Sequence, residues 1–108
     1  MQVQITEGLH IDLKTEMWCC TKCGAELVSC YNNYKEGCLV SERQPSDVHR
    51  PLVQGKVTFS PDPDWCRILE YYCPECGLLI EVEYLPLGHP PIYDIQLDIE
   101  SLKARHGI

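Results

Sequence analysis

Two short runs constrain this chain more than anything else in it: Cys20-Thr21-Lys22-Cys23-Gly24 and Cys73-Pro74-Glu75-Cys76-Gly77. Two residues between thiols bend the backbone so that both sulfurs point to one place and the amides of the turn can face a sulfur. Glycine after the second cysteine allows the left-handed conformation that closes such a turn. Two turns supply four sulfurs, the closed tetrahedral set of a structural zinc site. The spacing therefore nominates Cys20, Cys23, Cys73 and Cys76 as Zn2+ ligands. Cys19 to Cys23, with three residues between, is also a permitted spacing, although the repeated Cys-x-x-Cys-Gly form favours Cys20.

The separation of the two turns is unusual. Forty-nine residues lie between Cys23 and Cys73, against about 15–20 in compact ribbons. Loop closure grows only logarithmically, so the extra length costs about 1 kcal/mol, whereas structural zinc contributes about 10–16 kcal/mol. A chain of 108 residues has a marginal core by itself, and a bound metal compensates for that. Eight residues are Cys, an even number that would also suit a secreted disulfide framework. The N-terminal Met1–His10 stretch has neither a basic nor an apolar leader region, so a reducing cytoplasm is expected, where stable disulfides are rare. Cys30, Cys38 and Cys66 then read as small buried hydrophobes. A second metal site built from them with His49 has no spacing behind it.

The periodicity predicts a small, mostly β fold, zinc-ribbon-like, with each knuckle on a β-hairpin. Leu9, Ile11 and Leu13 alternate with His10 and Asp12, so Val3 to Leu13 reads as strand. Ala25–Tyr31 reads as a short strand and Asn32–Gly37 as a polar turn. Ser41–Pro51 reads as loop, Val53–Phe59 as a further strand and Pro61–Asp64 as a turn. Trp65–Tyr72 and Leu78–Leu85 read as strands flanking the second knuckle. In the latter, Glu81 and Glu83 alternate with apolar residues and are expected on a solvated face. Pro86, Pro90 and Pro91 impose an extended path, so residues 1–85 are expected to form the ribbon and 86–108 an extended arm. The alternation of Ile95, Leu97 and Ile99 fits an edge strand of the same sheet or an arm laid along a larger partner. A helical turn over Ser101–Arg105 is expected, capped by Asp98 or Ser101. A domain this small is not expected to hide Ile92, Tyr93, Ile95, Leu97, Ile99, Trp18 and Trp65 unaided.

Several function classes are disfavoured. The chain carries 9 Lys and Arg against 16 Asp and Glu, a formal charge of −7, which opposes gripping nucleic-acid phosphates or an anionic membrane. No apolar run reaches the ~18 residues of a spanning helix. Nucleophile-elbow, phosphate-loop and His-Glu-x-x-His motifs are missing from the sequence, and the four histidines (His10, His49, His89, His106) are scattered and read as surface or loop residues. No catalytic residue and no organic-cofactor site is assigned. A closed four-thiolate site offers no coordination position to substrate.

Trp18 ahead of the first knuckle, Ser41-Glu42-Arg43, the run Tyr71-Tyr72-Cys73-Pro74-Glu75-Cys76-Gly77-Leu78-Leu79-Ile80-Glu81-Val82-Glu83, and Gly88-His89-Pro90-Pro91-Ile92-Tyr93-Asp94-Ile95 followed by Asp98-Ile99-Glu100 together resemble the small gamma subunit of the acetone and acetophenone carboxylase family. The resemblance covers about Leu13 to Glu100. It implies a biotin-independent, ATP-dependent ketone carboxylase, in which the ketone is activated as an enol phosphate and joined to activated bicarbonate. Larger hydantoinase-like subunits would carry that chemistry, with ATP and a divalent metal bound there. This chain would be a zinc-stabilised accessory piece of the hetero-oligomer, its metal role falling on Cys20, Cys23, Cys73 and Cys76. The absence of an N-terminal extension found in acetone-type small subunits leans towards the acetophenone branch. The runner-up is a rubredoxin-like electron carrier, with iron in the same four thiolates. A nucleic-acid-binding zinc ribbon ranks third: residues 55–108 hold 4 basic against 9 acidic residues.

Overall fold

The computed structural model describes residues 1–43 and 66–108. Of the expected Ser41–Pro51 loop, Ser41–Arg43 is strand instead, paired in register with a neighbouring strand; its remainder, the Val53–Phe59 strand, the Pro61–Asp64 turn, His49 and Trp65 lie outside the described residues. Among the described residues, seven strands form two antiparallel sheets, with order β1-β2-β3-β4 in the first and β5-β6-β7 in the second. The mostly β, ribbon-like fold is thus present, with one knuckle on the β3–β4 hairpin and the other on β6–β7.

The first sheet comprises β1 (Gln2–Gln4), β2 (Leu9–Asp12), β3 (Met17–Cys20) and β4 (Glu26–Ser29). Val3 to Leu13 is therefore two strands rather than one. Ile5 and Thr6 both donate to the Leu9 carbonyl, and Thr6 Oγ1 accepts from the Leu9 amide at 3.1 Å, a hydroxyl-stabilised turn that the period of the flanking apolar residues conceals. Asp12 makes the next turn by accepting from the amides of Lys14 and Thr15. Side chains directly opposite share a face. Val3, Ile11, Trp18 and Val28 therefore line one face, and Gln4, His10 and Cys19 the other.

The inner face is the main core. Leu9, Ile11, Leu13, Trp18, Cys30, Tyr34 and Ile99 are buried together. Trp18 is 1 % exposed, so the chain does hide it unaided. Its ring meets that of Tyr34 edge-on at 5.6 Å, and its Nε1 donates to the Asn32 carbonyl at 3.0 Å. His10 is also a correction: it is buried rather than a surface residue. The stretch read as a polar turn is a 3-10 turn, Tyr34–Gly37, capped by Asn33, and it buries both Tyr34 and Lys35. Gly37 is required there because a Cβ would meet Leu27 backbone atoms at 2.5 and 2.6 Å.

The second sheet comprises β5 (Leu39–Arg43), β6 (Arg67–Tyr72) and β7 (Leu79–Leu85). Along β7 the expected facing is reversed. Val82 and Tyr84 are exposed, whereas the Glu83 side chain retains only 10 % of its surface. Its register partner is Leu69, which sits with Tyr71 and Leu85 in the second core cluster. Glu83 turns inward because the buried Lys35 ammonium lies on that side, 2.9 Å away. A buried charge with a partner costs far less than one without.

Residues 86–98 form no strand; proline cannot donate to a ladder. The helix α1 (Ile99–Arg105) follows, with Asp98 accepting from the Ser101 amide at 3.1 Å and from its hydroxyl at 2.9 Å. Ile99 is buried, and Ile95 and Leu102 pack on the first core cluster. Leu87, Ile92, Tyr93 and Leu97 remain exposed.

Candidate metal centre

The two hairpins meet tip to tip. Each knuckle has the same backbone plan. Gly24 donates to the Cys20 carbonyl and Gly77 to the Cys73 carbonyl, at 2.8 and 2.9 Å; Cys20 and Cys73 in turn donate to Ala25 and Leu78, both at 2.9 Å. Gly24 and Gly77 adopt φ of 77° and 76°, the left-handed conformation that admits glycine without strain.

This plan gathers the sulfurs of Cys20, Cys23, Cys73 and Cys76 within 4.8 Å of one another. Cys20 and Cys76 are 3.6 Å apart, and Cys23 and Cys73 are 3.7 Å apart. A tetrahedron with metal–sulfur bonds of about 2.3 Å has edges of about 3.8 Å, so these two separations suit a metal ion held by the four sulfurs. Cys19 is not in it. Adjacent strand residues face opposite sides, and Cys19 points to the outer face, with its sulfur 3.6 Å from the Met17 carbonyl. Cys30 is buried in the first core. Cys38 is half-buried and touches both core clusters. Cys66 is half-buried, near its neighbour's carbonyl.

The electrostatics of these thiols follow from the same geometry. Burial pushes the Cys20 thiol up, against the amides of Cys23 and Lys22 that face its sulfur. Burial opposes ionisation of Cys73 too, but there the amides of Cys76 and Glu75, with the thiols of Cys23 and Cys76, prevail and bring it down to about 7. At Cys23 the Ala25 amide favours the thiolate, yet burial and the other three sulfurs push it up to about 12. One thiolate is readily held among four sulfurs, and further negative charge is resisted. A divalent cation removes that resistance, because metal binding displaces the thiol protons. The donor set and the surrounding amides thus fit a metal ion bound by thiolates.

Sequence reasoning missed the surroundings of two residues, Cys38 and Lys35. Cys38, whose thiol burial pushes up to about 11, feels the charges of Cys73 and Cys20, and no spacing ties it to either knuckle. Lys35 carries no local signal of burial; only its distant partners explain it.

The comparisons with known proteins agree with this geometry. The profile of the acetone carboxylase gamma subunit family matches residues 2–107. The chain is 52 % identical over 104 residues to the acetophenone carboxylase beta subunit of Aromatoleum aromaticum, covering 96 % of this chain and 81 % of that protein. It is 33 % identical over 80 residues to the acetone carboxylase gamma subunit of Xanthobacter autotrophicus, covering 74 % of this chain but only 46 % of that one. With nearly its whole length matched and its four clustered cysteines inside the match, the chain belongs to the acetone carboxylase gamma subunit family.

Proposed function

We propose that this chain is the small, zinc-binding accessory subunit of a biotin-independent, ATP-dependent ketone carboxylase, of the acetophenone or acetone type, working in the cytoplasm. The observation that carries the metal part is the cluster of four sulfurs, all within 4.8 Å of one another. Bound there, zinc would supply folding energy and join the two hairpins. With four thiolates the coordination shell is complete, which supports a structural or assembly role over catalysis. The partner subunits are proposed because both relatives are subunits of carboxylases. ATP, a divalent metal and the carbon–carbon bond formation are assigned to those larger subunits.

Residues 1–85 are taken as the metal-bearing body and 86–108 as the arm. The outward side chains of Leu87, Ile92, Tyr93 and Leu97 offer apolar contact to a larger subunit. No helix among the described residues is long and apolar enough to cross a membrane. Affinity purification of the tagged chain from its native cell, followed by metal analysis, tests both parts. Zinc at one equivalent and co-purifying large carboxylase subunits are the expected result. A red, iron-containing protein purified alone would favour the electron carrier and overturn the proposal.

A further inference from the structure

The Lys35 side chain is 3 % exposed, and its ammonium has three acceptors: Glu83 Oε2 at 2.9 Å, the Ile92 carbonyl at 2.8 Å and Asp94 Oδ1 at 3.3 Å. An ammonium has three donors, so none is spare for chemistry. The rings of Tyr34 and Tyr71 lie 5.8 and 5.3 Å from the same nitrogen. The carboxylates are held in turn. Tyr71 donates to Glu83 Oε1 at 2.8 Å, the Ile92 amide donates to Glu83 Oε2 at 3.2 Å, and Tyr34 donates to Asp94 Oδ2 at 3.3 Å. Three remote segments converge here: the 3-10 turn continuing the first sheet, β6 and β7 of the second sheet, and the proline-rich segment.

We infer that Lys35 is a charge lock that straps residues 86–98 across both sheets, a second clamp between them that works independently of the four-thiol centre. Other ties follow the same path. Arg67 donates to the His89 carbonyl, Asn33 to the Ile92 carbonyl at 3.3 Å, and Tyr93 to the Tyr31 carbonyl at 3.1 Å. Beyond them Ile95, Ile99 and Leu102 close over the Trp18 and Tyr34 cluster. The strap thus covers the main core, and its polar ties involve none of the four clustered cysteines. Removing Lys35 leaves two carboxylates facing each other with no cation between them, which opens the strap rather than loosening one bond.

The test is hydrogen exchange across residues 86–106, read with metal content, on the full chain as purified. In Lys35→Met the amides of Ile92 and the helix should exchange on the order of a hundredfold faster while the metal ratio stays unchanged. Asp94→Asn, at a partly exposed position, should retain the fold and shift the same amides in the same direction by less. The inference is overturned if Asp94→Asn leaves these amides unaffected, or if either variant loses metal in step with strap opening.

Discussion

The adjacent pair Cys19 and Cys20 offers the sharpest test of the metal centre, because one residue of strand register separates ligand from bystander. Replacing Cys20 with Ser removes one of four thiolates. Structural zinc contributes about 10–16 kcal/mol, or about 2.5–4 kcal/mol per thiolate if shared equally. That is a loss of about 10²–10³ in metal affinity. The amides of Lys22 and Cys23, which face the Cys20 sulfur, would lose a charged acceptor as well. Cys19→Ser should behave differently. Cys19 is 3 % exposed and its sulfur sits by the Met17 carbonyl, where a hydroxyl can still donate, so the cost is about 1 kcal/mol of fold stability and no metal affinity. Competition against a chromogenic chelator, with cobalt substitution to read thiolate coordination by its visible absorption, measures both variants on one scale. A Cys19→Ser variant that loses metal beside a Cys20→Ser variant that keeps it would refute the register and the ligand assignment together.

Other perturbations probe the surrounding fold. Gly37→Ala forces a Cβ against the Leu27 backbone and should destabilise by about 1–3 kcal/mol, seen in urea melts. Gly8→Ala, whose Cβ would lie 3.6 Å from Leu78 Cδ2, should stay within about 0.5 kcal/mol of wild type. Ile11→Ala, at a fully buried position in the first core, should cost about 2–5 kcal/mol in the same assay. The pH dependence of the strap has a definite sign. Burial raises the Glu83 pKa, but Lys35, Tyr71 and the Ile92 amide outweigh it and hold the carboxyl below its ordinary 4.5. Its contribution is therefore complete above 4.5 and is lost as pH falls below that value. The stability gap between wild type and Glu83→Gln should be constant from pH 7 to 5 and narrow below 4.5; a gap that widens there would contradict the ion pair. Truncation after Pro86 removes Ile95, Ile99 and Leu102 from the first core, so it should lower the melting temperature as well as weaken partner binding.

What could be read from the residues alone was local. A Cys-x-x-Cys-Gly turn carries its geometry within five residues, so both knuckles, their glycine conformations and the four cysteines that cluster were legible before any fold was known. The strands beside them were legible for the same reason, since alternation registers the nearest neighbours, and so was the helix cap at Asp98. The tertiary structure decided what depends on remote partners. It turned Glu83 inward against the alternation of β7, buried Lys35, and returned the proline-rich segment across its own chain. Those choices rest on contacts between residues 48 to 60 positions apart. A charge is tolerated in such a place only when its counter-charges arrive from elsewhere in the chain, and no local pattern records that arrival.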